Sequence, residues 1–104
     1  MLFRSARRKL IKAKVPGFAE ELLEKTVQYT VEHLKAFTSA EIIQPLSPRD
    51  YLETAECQVC FTVMGLSQDE AMKEAIQATI IDAAVPQDAQ VLKGIIKNVY
   101  DINV

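Results

Sequence analysis

Residues 17–37 carry the clearest helical pattern in the sequence, and this pattern constrains the fold more than any other. When 100° is allotted to each residue, apolar and uncharged side chains fall on one half of the helix and mostly charged ones on the other. The first half holds Phe18, Ala19, Leu22, Leu23, Thr26, Tyr29, Thr30, His33, Leu34 and Phe37. Such a helix must bury its apolar half, so other elements have to pack against it.

The last third of the chain predicts two further helices. Ser67 and Glu70 form a capping-box pattern that opens a helix running to about Ala84, where Val85-Pro86 stops it. A final helix begins at about Asp88. Its buried stripe is Val91, Leu92, Ile95, Ile96 and Val99.

Residues 48–64 fit two structures. Apolar and polar residues alternate in "ECQVCFTVMG", and the alternation favours a strand that pairs with residues 40–46 or with the terminal "YDINV". Ser47 followed by Pro48 instead fits the beginning of a helix. We therefore predict an α+β fold that is mainly α-helical, with a long N-terminal helix, a small antiparallel strand pair and two C-terminal helices. The alternative is an all-α bundle with residues 48–64 helical.

Composition places the chain among ordinary globular proteins. It has 104 residues, of which 49% are hydrophobic and 25% charged, enough for one domain with its own core. No apolar run is long enough to span a bilayer, and no apolar stretch follows the basic start as in a secretory signal. We expect a cytoplasmic protein, with residues 1–14 as a basic amphipathic arm and residues 15–104 as a single compact domain.

The basic arm contrasts with an acidic remainder. Residues 1–14 hold six cations and no acid, whereas residues 15–104 hold six basic and fourteen acidic side chains. The thin apolar face Phe3, Ala6, Leu10 and Ala13 predicts a marginal helix over residues 2–14. Such asymmetry indicates an interaction segment. The candidate partner-binding residues are Arg4, Arg7, Arg8, Lys9, Lys12 and Lys14.

The residues that could carry chemistry are few. Cys57 and Cys60 would point to opposite faces of a strand, so we expect two buried structural thiols rather than a redox pair or a metal site. His33, the only histidine, lies within the apolar half of the long helix, where a core role is expected. No phosphate loop, metalloprotease motif or nucleophile elbow is present, so we expect neither an enzyme nor a cofactor.

Two functions remain open. The first is a non-enzymatic protein-interaction domain or assembly subunit that we expect to be homo-oligomeric. Ile81 projects opposite the buried stripe of its helix and is the interface candidate. The second is a binder of nucleic acid or of an anionic surface through the arm, which the acidic remainder and the absence of aromatic residues between the cations argue against. A membrane surface has less support.

Overall fold

The computed structural model describes residues 2–104, with side chains from Arg4 onwards, and this part of the chain contains helices and no strand. The helices are α1 (Leu2–Lys14), α2 (Glu20–Thr38), α3 (Pro48–Val63), α4 (Gln68–Ile76) and α5 (Pro86–Tyr100). A π-helical turn, Gln77–Ile81, continues α4. None of the helices in the described residues is long and apolar enough to cross a membrane.

The long amphipathic helix is confirmed as α2. Leu22, Leu23 and Val27 are almost completely buried, and the helix packs against α1 and α5. Glu20 and Glu21 occupy the first turn, where acidic side chains interact favourably with the helix dipole. The predicted helix over residues 2–14 is also confirmed, as α1.

The predicted antiparallel strand pair is wrong, because residues 56–64 continue a helix that begins at Pro48. Ser47 Oγ accepts the Asp50 N–H at 3.4 Å, and the Asp50 carboxyl group accepts the Ser47 N–H at 2.9 Å. The proposed partner segments form no strand either: residues 39–47 link α2 to α3, and Asp101 ends α5 with φ at 60°. The all-helical alternative therefore describes the fold, with α3 ending at Val63.

The alternation in "ECQVCFTVMG" wrongly predicts a strand because it does not correspond to the buried face of α3. That face has helical spacing and consists of Tyr51, Thr54, Ala55 and Gln58. Its two polar members have partners, since Thr54 Oγ1 lies 2.6 Å from Thr79 Oγ1 and the Gln58 amide donates to the Gln68 carbonyl. A hydrophobicity pattern does not detect a buried stripe that is half polar.

Ile81 is buried rather than exposed, which removes the reason for choosing it as an interface residue. The Asp82 N–H donates to the Gln77 carbonyl at 2.9 Å, five residues back. This π-helical turn holds more residues than an α-helical one, so the side chains within it, including Ile81 at its end, are rotated away from their α-helical positions. Ile81 is consequently 9% exposed and packs in the core beside Ile80. The sequence pattern alone predicts a regular helix to about Ala84, in which Ile81 would face away from the core.

Candidate functional site

Helix α1 lies antiparallel across α2. The Arg8 guanidinium donates to both oxygens of the Glu24 carboxylate, at 2.6 and 2.8 Å, and Lys12 Nζ lies 3.3 Å from Glu20. Arg7 Nη1 donates to Thr30 Oγ1 at 2.8 Å. Three of the predicted partner-binding cations therefore contact the chain's own second helix. The division into an arm and a separate domain stays a prediction.

The face of α1 that packs on the body differs from the expected one. Ile11 is 0% exposed, whereas Ala6 and Ala13 are exposed and Leu10 is half-buried. The side chain of Phe3 lies outside the described residues. The face that packs on the body holds the buried Ile11, flanked by the half-buried Arg7, Arg8 and Leu10, since arginine stems can cover apolar surface while their charged ends reach acceptors.

Electrostatics reinforces this packing at the surface. The hydrogen bond from Arg8 lowers the pKa of Glu24 and, reciprocally, raises the pKa of Arg8. Both side chains are largely in solvent, so salt screens the pair and its contribution is small. Lys9 and Lys14 are exposed, and Arg4 is half-buried.

Two small cavities border His33. The smaller one is also lined by residues 79–84 and Leu92, and the larger one lies between α1, α2, residues 39–47 and α3. Their volumes are about 110 and 90 Å³, and both are lined by His33, Pro45 and Leu46. The larger one, which we call the Phe37 pocket, is completed by Arg7, Thr30, Leu34, Phe37 and Tyr51. Its walls are mostly apolar with one cation, so it suits an apolar group more than a reacting polar one.

His33 lines both cavities, and two hydrogen bonds fix its ring. Its Nε2 lies 3.0 Å from the Gln44 carbonyl oxygen, which can only accept, so Nε2 carries the proton. Nδ1 then accepts the Tyr29 hydroxyl at 2.9 Å. With both nitrogens occupied and the ring 4% exposed, His33 has the core role that its position in the sequence indicated.

Asp88 and Gln44 complete a polar junction that sequence reasoning missed. The buried Asp88 carboxyl group accepts the Ile43 N–H at 3.1 and 3.2 Å and the Gln44 N–H at 3.1 Å. The Gln44 side chain accepts the Val85 N–H at 2.9 Å. These bonds fasten residues 39–47 to the start of α5. An acid in the first turn of a helix is common, so the sequence offered no distinguishing signal.

His33 predicts a dependence of stability on pH. Burial lowers the pKa of His33 below the ordinary value for histidine, and its hydrogen bond to Gln44 and the nearby Asp50 and Asp88 partly offset this effect. Between the folded and unfolded pKa values the unfolded chain binds more protons, so stability falls as the pH drops below about 6.5.

We expect urea denaturation of the full chain to show a lower free energy of unfolding at pH 5.5 than at pH 7.5. His33→Gln should flatten the curve between these two values, since no other histidine is present. An unchanged slope in the variant would contradict this assignment.

The two cysteines occupy positions different from those expected. They lie on α3, where a spacing of three residues places them on one face, and both thiols are free. Cys60 is exposed and Cys57 is half-buried, so the prediction of two core thiols on opposite faces of a strand is wrong. Burial raises the pKa of Cys57, with Cys60 adding to the effect. The described residues contain no group of three or more His, Cys, Asp or Glu side chains that could hold a metal ion.

Large apolar side chains are exposed at two opposite ends of the molecule. Leu34 and Phe37, at the C-terminal end of α2, border the Phe37 pocket, and Ile43 is 59% exposed on the following segment. Val63 and Met64 lie where α3 ends. That end is near the start of α2, because Gln68 donates to Glu21 and a Cβ on Gly17 would lie 3.5 Å from Val59.

No protein-family model, curated protein or solved structure matches this chain. The candidate site therefore rests on its own geometry.

Proposed function

We propose that this chain is a non-enzymatic protein-interaction domain that forms a homodimer through the Phe37 pocket and the exposed side chains beside it. The observation that carries the proposal is the exposure of Leu34 and Phe37, 47% and 39%, at the edge of an apolar pocket. Neighbouring exposed apolar groups of this kind are typical of interaction sites. Ile43 would extend the contact, giving the apolar centre that an interface needs.

The charges around the pocket favour a second copy as the occupant. Arg7 lies in the pocket wall, whereas Glu41 comes just after α2 and accepts a hydrogen bond from Ser39 Oγ at 2.9 Å. A pocket rim that carries both positive and negative charges is self-complementary across a two-fold axis, because the acid of each copy can pair with the cation of the other. The net charge of −2 opposes association only weakly.

The packing of α1 argues against the alternative function, which is binding to nucleic acid or to an anionic surface through residues 1–14. Such a binder needs several cations directed at phosphates. Arg8 and Lys12 instead face the chain's own Glu24 and Glu20. A complex of the protein with DNA or RNA that weakens steeply with salt would overturn our preference.

The dimer is tested by sedimentation equilibrium of the full chain over a range of concentrations. The patch is small, so we expect a reversible dimer with a dissociation constant in the micromolar range. Leu34→Asp and Phe37→Asp should each raise that constant by about tenfold or more, because each removes an apolar contact and introduces an unpaired charge.

Val63→Asp is the matched control, since it makes the same kind of change at the other end of the molecule, where the side chain is 82% exposed. It should leave the dimer intact. A monomer at every concentration, or equal dissociation by Val63→Asp, would refute the proposal. Circular dichroism checks that each variant keeps its helices.

We propose a cytoplasmic location for the same domain. The support is the pair of free thiols, Cys57 and Cys60, one of them exposed, which suits a reducing compartment.

A further inference from the structure

Three sulfur-containing side chains share one face at the C-terminal end of α3. Cys57, Cys60 and Met64 are spaced by three and four residues, which places them within about 60° of each other around a helix. Met64 still has helical torsion angles, φ −77° and ψ −3°, and its N–H donates to the Cys60 carbonyl at 3.0 Å. The helical geometry therefore extends to all three residues.

These sulfur atoms are accessible from solvent. Cys60 is exposed, Cys57 is half-buried and Met64 is 73% exposed. Helical side chains tilt towards the N-terminus of their helix, so the flexible Met64 side chain can reach towards Cys60. An incoming ion can thus meet two thiols and a thioether from one side.

The chemistry of this donor set selects a particular class of metal ion. Zinc sites are completed by nitrogen, oxygen or further thiolate ligands, and no third ligand of the His, Cys, Asp or Glu type joins the pair in the described residues. Thiolate and thioether donors together select soft ions such as copper(I). We infer that Cys57, Cys60 and Met64 form a binding site for copper(I), held by two thiolates and one thioether.

Binding involves proton release and no electron transfer. Each thiol loses its proton as its sulfur bonds to the metal, and copper stays in the +1 state. The site lies at the opposite end of α3 from the Phe37 pocket, so it is independent of the proposed dimer.

The test is an anaerobic titration of the full reduced chain with copper(I), supplied as its acetonitrile complex, against a chromophoric copper(I) chelator. We expect one copper ion per chain. Cys57→Ser and Cys60→Ser should each weaken binding by more than about 100-fold, because losing a group that only orients a metal ligand already lowers metal affinity by about 10–100-fold. Met64→Leu, which keeps size and hydrophobicity, should weaken it by about tenfold.

Val63→Ala is the control, because Val63 is adjacent and exposed but has no donor atom, and it should bind copper(I) like the original chain. Four outcomes would overturn the site: unchanged affinity in either serine variant, unchanged affinity in Met64→Leu, one copper ion per two chains, or displacement of copper(I) by zinc. Since one thiol is exposed and the other half-buried, the serine variants should fold, and circular dichroism verifies this.

Discussion

Replacing Ile11 by alanine is expected to lower the free energy of unfolding by about 2–5 kcal/mol, the usual cost of truncating a fully buried isoleucine. Ile11 is 0% exposed, although it belongs to the most basic segment of the chain. Urea denaturation followed by circular dichroism measures the effect. Lys9→Ala, two residues away on the exposed side, should stay within about 0.5 kcal/mol of the original chain.

Comparing the two variants shows whether α1 packs on the rest of the chain. A free arm would lose no stability when Ile11 is truncated, so an unchanged unfolding midpoint would contradict the packing described above. The ion pair between Arg8 and Glu24 is exposed at the surface and contributes little, particularly in salt. Burial of Ile11 is therefore the larger effect, and α1 should remain packed on α2 at high ionic strength.

Removing the carboxyl group of Asp88 is expected to be similarly damaging. Asp88→Ala leaves the part-buried N–H groups of Ile43 and Gln44 without their acceptor, which costs about 2–4 kcal/mol in total. Because these bonds fasten residues 39–47, the variant should also disturb the Phe37 pocket and weaken the proposed dimer.

Asp69→Ala is the matched control for Asp88, since Asp69 is also an acid in the first turn of a helix but is exposed. It should lose only the fraction of a kcal/mol that a favourable helix-dipole interaction provides, about 0.3–1 kcal/mol. Equal losses in the two variants would show that Asp88 acts through the helix dipole and not through its buried hydrogen bonds.

Local rules in the sequence determined α1, α2, the beginning of α3 and the beginning of α4. The spacing of Leu22, Leu23 and Tyr29 predicts a buried helix face wherever it occurs. The caps at Ser47 and Ser67 depend on hydrogen bonds within four residues. Such interactions need no knowledge of the rest of the chain, and for this reason these elements could be predicted.

Tertiary structure alone decided the features that connect distant parts of the chain. Residues 56–63 belong to a helix whose polar stripe can be buried, because Thr54 and Gln58 have hydrogen-bond partners at Thr79 and Gln68. Ile81 lies in the core because it is the last residue of a π-helical turn, whose geometry differs from that of an α-helix.

The candidate site likewise depends on partners that are distant in sequence. Asp88 is joined to Ile43 across 45 residues, and Arg7 is joined to Thr30 across 23. The sequence alone indicates which side chains can form hydrogen bonds or be buried. Only packing determines which of them meet, because the partner that satisfies a buried polar group is supplied by another element.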